Sequence, residues 1–126
     1  MQEGRTVFAQ LMEFNPWYEF DKCVERYGGN RGTRKLRCHG QFLIMSFAQL
    51  TYRESLRDIE TCLKAVGRKL YQTGIRRPVP KSTLADANES RDWRIFSDFA
   101  HILIGQATRL YSGEPFGAEL SGAAYA

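Results

Sequence analysis

Two stretches of the chain carry basic residues and no acid. Arg26, Arg31, Arg34, Lys35 and Arg37 fall within residues 26–39, and Lys64, Arg68, Lys69, Arg76, Arg77 and Lys81 within residues 64–81. Eleven of the 18 basic residues are thereby segregated in a chain of net charge +4, and segregation of that kind favours a polyanion. Directly behind the second stretch comes STLADANESR, residues 82–91. Its Ser82, Thr83, Asn88, Ser90 and Arg91 bear hydroxyl, amide and guanidinium groups suited to phosphates or base edges. Asp86 and Glu89 lie in the same segment and would repel phosphates.

Catalytic constellations are weaker. Glu54, Asp58 and Glu60 lie close together, but Arg53 and Arg57 stand beside them as ion-pair partners and Asp58 is placed to cap a helix. Asp86 and Glu89 are read the same way. Metal-assisted phosphodiester chemistry needs carboxylates held rigidly around ions, and short helices with neighbouring arginines supply that poorly. His39 and His101 are far apart in sequence, and His101 falls within a long helix, so it is expected to be structural. Cys23, Cys38 and Cys62 are an odd number with no CxxC spacing, so buried thiols are expected rather than disulfides or zinc. Glycine-rich phosphate loop, serine elbow and HExxH are all missing. The reading is a binding domain, not an enzyme, with no cofactor, metal or small-molecule substrate.

The elements that position these residues are helical. Hydrophobic residues make up 43% of 126 and aromatic residues 13%, enough for one domain with a ring-rich core. Val7, Phe8, Leu11 and Met12 predict a short first helix, ended by Asn15-Pro16. Trp17, Phe20, Val24 and Tyr27 mark a second, stopped by Gly28-Gly29. Residues 30–38 alternate as an extended basic loop. QFLIMSFAQL, from Gln41, is apolar nearly all round and predicts a central helix. Leu56, Ile59, Leu63 and Val66 stripe the next, which ends at Gly67, with Ser55–Asp58 and Thr51–Glu54 as competing capping pairs. Lys69 to Lys81 reads as a connector, Ser82 or Thr83 as the cap of a short helix, and residues 92–111 as a long final helix.

The fold class is therefore all-α, a compact bundle of five or six helices. Phe42, Phe47, Leu50, Trp93, Phe96 and Leu103 are expected in the core. The helix 56–66 and the short helix 82–91 form a helix-turn-helix-like pair, although the connector is longer than the compact motif's turn. The first residues carry acids and no long apolar run, and no stretch approaches ~20 apolar residues. Neither a signal peptide nor a membrane span is expected, and the expected location is cytoplasmic.

TVFAQLMEF, YEFDKCVERYGGN, QFLIMSFAQLTYRESLRDIETCL and STLADANESRDWRIFSDFA, in that order and over nearly all of residues 4–120, resemble the N-terminal region of IS-four-type insertion-sequence transposases of the Asp-Asp-Glu class. That region is catalogued as a domain of unknown function ahead of the catalytic domain. The resemblance implies recognition of double-stranded DNA at terminal inverted repeats during DNA transposition. It also implies that the catalytic residues lie in a ribonuclease-H-like domain downstream of Ala126, so none carries over. Tyr52-Arg53-Glu54 is not the catalytic domain's Tyr-Arg-Glu-Lys signature, which is spaced differently. Residues 1–111 are then the helical domain, and 112–126 a linker or tail toward an absent catalytic domain; its SGAAYA departs from the family's pattern. The residues expected to meet DNA are Arg34, Lys35, Arg37, Arg76, Arg77, Lys81, Ser82, Thr83, Asn88 and Arg91. A homodimer or full-length transposase is a further expected partner; a membrane is not. The alternative is a protein-interaction module for dimerisation or docking on the catalytic domain, with the basic stretches as solvated loops.

Overall fold

A computed structural model describes residues 7–33, 35–67 and 69–113. Among them are seven helices and no strand: α1 (Val7–Met12), α2 (Trp17–Arg26), α3 (Cys38–Leu50), α4 (Leu56–Val66), α5 (Lys69–Gln72), α6 (Lys81–Ser90) and α7 (Trp93–Leu110). The all-α expectation holds. Six of the helices fall where periodicity and stop signals put them, and α5 is the addition, a single turn inside the supposed connector. Residues 114–126, most of the expected tail, lie outside the described residues.

The helices form two compact units. One contains α1 and Asn30–Arg91, the other Pro16–Gly29 and the segment from Asp92 onward. In the first, Leu43, Ile44, Ile59, Leu63, Leu70 and Leu84 are buried, α4 packs on both α5 and α6, and the Phe8 ring meets Phe47 edge-on at 5.3 Å. In the second, α2 packs along α7 through Phe20. Its ring lies 5.0 Å from Phe99, 6.3 Å from Phe96 and 5.7 Å from Trp17.

Helix starts and stops follow local chemistry in part. Ser55 Oγ accepts from the Asp58 N–H at 3.1 Å, as the capping pair predicts. Gly67 ends α4 at φ +62. The end of α3 is less ordinary. The Arg53 N–H bonds the Ala48 carbonyl at 2.9 Å and Tyr52 takes the left-handed position at φ +60, a place usually held by glycine. The cap expected at Ser82 or Thr83 is corrected. Pro80 precedes the helix with no side-chain cap bond, and the Lys81 N–H is taken instead by the Glu60 carboxylate of α4 at 2.7 Å. The first turn of α6 is thus capped across the fold.

The core list also needs correction. Leu50 is 53% exposed and Trp93 71%, while Phe42, Phe47, Phe96 and Leu103 are half-buried. Leu50 is the last residue of α3, where the turn leaves its side open. Trp93 is the first residue of α7 and lies ~200° around the helix from Ile95. Ile95 and Phe99, one turn apart, are the buried face.

Candidate nucleic-acid interface

The loop leading into α3 is built around Asn30. Its side-chain Oδ1 accepts the Cys38 N–H at 2.8 Å, capping a helix whose own preceding residue, Arg37, offers no side-chain cap bond. Its carbonyl accepts both the Thr33 hydroxyl and the Thr33 N–H. Gly32, at φ +71, closes that turn. From there the chain alternates: Leu36 and Cys38 are buried, Lys35, Arg37 and His39 exposed. The apolar members anchor the loop, and the basic members are turned outward by the same extended geometry.

The second basic stretch is held in a parallel way. Leu70, Thr73, Ile75 and Val79 are all buried, so residues 69–80 are fastened to the unit rather than loosely strung. Gly74 turns the chain at φ +93, and Arg76 and Arg77 project from the fastened segment. The two segments face one another across a cleft of about 510 Å³. Leu36, Ile44, Ile75 and Val79 make its floor; Lys35, Arg37, His39, Arg76 and Arg77 line it as well. No acid among the described residues lines it. Stretches about forty positions apart in sequence thus become one basic concavity, whose field adds over its like charges.

Beside it lies a shallower groove of about 370 Å³, lined by Thr33, Lys35, Ser82, Thr83 and Arg91 together with Asp86. Lys35 and Leu36 line both hollows, and so stand between them.

Asn88 and Arg91 are also tied into the fold. Arg91 Nη1 donates to Gln41 Oε1 at 2.8 Å, and Arg91 Nη2 donates to the Leu36 carbonyl. Gln41 Nε2 in turn donates to Asn88 Oδ1 at 2.8 Å. Gln41 is 3% exposed, so this is a satisfied buried polar hub tying α3, α6 and the basic loop together. Burial pushes the Cys38 thiol above its ordinary pKa, with the adjacent Arg91 charge acting the other way. Lys81 is exposed and lines neither hollow. Arg34 lies outside the described residues. Arg26, counted in the first basic stretch, belongs to the other unit and pairs with Asp98 at 2.7 Å. Gln41 and Glu60 were missed as positioning residues, although a lone glutamine near the start of an apolar helix is a visible signal. Among the described residues no three His, Cys, Asp or Glu side chains gather as a metal-ion cluster, and no helix is long and apolar enough to cross a membrane.

Comparison with curated proteins and with solved structures found no match. Residues 3–76 match the family model described as a domain of unknown function, DUF4372. That span runs from α1 through α5 and includes Lys35, Arg37 and Arg76 of the basic cleft, ending just before Arg77. Because the match covers more than half of the chain, this protein belongs to the DUF4372 family.

Proposed function

We propose that the chain is the DNA-binding N-terminal domain of an insertion-sequence transposase, recognising the element's terminal inverted repeats, with the catalytic residues outside it. The observation that carries the reading is the cleft: two acid-free stretches converge on it, and Lys35, Arg37, Arg76 and Arg77 line it together. The resemblance of residues 4–120 to such transposases supplies the biological setting. In this reading the phosphate backbone meets the cleft. The hydroxyls of Ser82 and Thr83 extend the contact along the neighbouring groove, and Lys81 adds charge at its edge.

The test is binding of a fluorescent duplex at increasing salt. A protein that neutralises phosphates loses affinity linearly in log salt, with a slope near −0.9 per phosphate on duplex DNA. The double variant Arg76→Ala/Arg77→Ala should shallow that slope by about two units with little change in thermal unfolding. Salt-independent binding, or an unchanged slope in the double variant, refutes the assignment.

A second reading, a protein-interaction module, is favoured by α1. Val7 and Leu11 stand one turn apart on α1 and Phe14 follows just past its end, 71%, 47% and 85% exposed, an apolar patch of the kind that docks on another surface. Sedimentation of Leu11→Asp beside the parent decides it: this reading requires the parent to self-associate and the variant not to.

A further inference from the structure

We propose that Lys35, on backbone anchored by the buried Leu36, forms a reading ridge that enters the minor groove of duplex DNA, so that α6 supports recognition without reading a groove itself. The inference rests on the nucleic-acid reading above and specifies how that surface meets its ligand. Three observations carry it. First, α6 is unsuited to a major groove: Asn88 and Arg91 are bonded to Gln41, and its exposed residues include Asp86 and Glu89, which oppose phosphates. Second, the cations of the surface sit on irregular segments, Lys35 and Arg37 on one side and Arg76 and Arg77 on the other. A helix ~10 Å across needs the major groove, whereas extended chain fits a minor groove of roughly 6 Å. Third, Lys35 and Leu36 divide two hollows, one lined by four cations and the other by hydroxyls, Lys35 and Arg91 with a single carboxylate, Asp86. A ridge between two hollows that each carry more cations than acids is the complement of a groove between two phosphate backbones.

The ridge is prebuilt rather than ordered on binding. Arg91 holds the Leu36 carbonyl, Asn30 holds the Cys38 N–H, and the buried Leu36 side chain anchors it from below. An ammonium group carried into the minor groove on that fixed backbone meets adenine N3 and thymine O2, both acceptors. At G·C pairs the guanine amino group is a donor in its path, and the narrow groove of A·T tracts attracts cations more strongly.

The experiment uses inosine, which separates the grooves: an I·C pair has the major groove of G·C without the guanine amino group in the minor groove. The 126-residue protein is titrated against poly(dA-dT), poly(dI-dC) and poly(dG-dC) at one salt concentration. The expected result is that poly(dI-dC) binds like poly(dA-dT), both about tenfold tighter than poly(dG-dC). Lys35→Ala should shrink that preference, whereas Arg76→Ala/Arg77→Ala should weaken all three polymers alike. If poly(dI-dC) behaves like poly(dG-dC), the major groove is read and the ridge is not the reader. Equal binding of all three, still salt-dependent, overturns the ridge and leaves the polyanion surface standing. Absence of salt-dependent binding to any of them removes the surface and the ridge together.

Discussion

The two units divide charge and apolar chemistry unequally. The unit containing α1 and α3 to α6 holds fourteen of the 18 basic and seven of the 14 acidic residues, a net charge of +7; the other holds four and seven, a net −3. The modest +4 of the whole chain therefore conceals a strongly basic body and an acidic one. Their interiors differ as well. The basic unit is built on aliphatic residues with a buried polar hub at Gln41, whereas the α2–α7 pair is organised by edge-on and tilted rings around Phe20. Irregular segments that must present cations need hydrogen bonds to fix them, and the hub provides these. Two antiparallel or parallel helices need only a continuous apolar seam.

The largest effect is expected at that seam. Phe20 is fully buried and touches three rings, so Phe20→Ala should cost about 3–5 kcal/mol. Trp93→Ala, on the same unit but 71% exposed, should stay within about 0.5 kcal/mol. Urea unfolding of the two variants measures both. A large loss at Trp93 would mean that the buried face of α7 includes it after all.

A smaller loss is expected in the basic unit. Gln41→Ala strips Arg91 and Asn88 of their shared partner, and unsatisfied groups in a buried site cost about 1–3 kcal/mol. Urea unfolding again provides the measure. A neutral Gln41→Ala would show that the basic loop holds its shape without the hub, and would place the rigidity in Asn30 and the buried Leu36 instead.

That contrast also marks what was legible in the sequence. Helices with a one-sided stripe and a local stop, such as α2 and α4, were readable because periodicity and capping residues act within a few positions. The two acid-free stretches were readable as charge, but their convergence was not. It depends on Leu70, Ile75 and Val79 fastening a segment that looks like a linker. The bonds of Asn88 and Arg91 to Gln41 were hidden for a related reason. Polar residues on a short helix look outward until a glutamine on another helix is found to receive them. Glu60 taught the same lesson at the start of α6: a cap supplied across the fold leaves no trace in the spacing of the helix it caps.

Arg26 and Arg37 sharpen the comparison on binding. Both lie in the first acid-free stretch, yet Arg26 pairs with Asp98 in the acidic unit while Arg37 lines the cleft. Arg37→Ala should reduce the salt slope of DNA binding by about one unit, and Arg26→Ala should leave it unchanged. Equal slopes in the two variants would dissolve the distinction between the units as ligand surfaces.

The smallest effect concerns the surface cluster of the acidic unit. The Tyr27 hydroxyl and Arg26 Nη1 both donate to Asp98 Oδ2 at 2.7 Å, and Arg94 lies over the Tyr27 ring at 4.5 Å. The Tyr27 hydrogen bond, with Arg26 adding to it, holds the Asp98 carboxyl below its usual range. The same bond to Asp98 raises the Tyr27 phenol above its own. These shifts stabilise the folded state on opposite flanks. The Asp98 contribution is present above its unfolded pKa of about 3.9 and is lost as pH falls through the lower folded value. The Tyr27 contribution is present below about pH 10 and is lost as pH rises through its raised folded value. Burial also raises the Cys23 thiol on α2, so the alkaline flank has a second source. Asp98→Asn should therefore flatten the acid flank of a melting-temperature profile. Tyr27→Phe should flatten the alkaline flank only in part, leaving the share of the Cys23 and Cys38 thiols, both raised by burial. Both effects should be small, because the cluster is open to solvent and exposed ion pairs contribute little. An acid flank unchanged in Asp98→Asn would leave Asp92, whose carboxyl the Arg94 hydrogen bonds also hold below its usual range, as the source of the acid sensitivity.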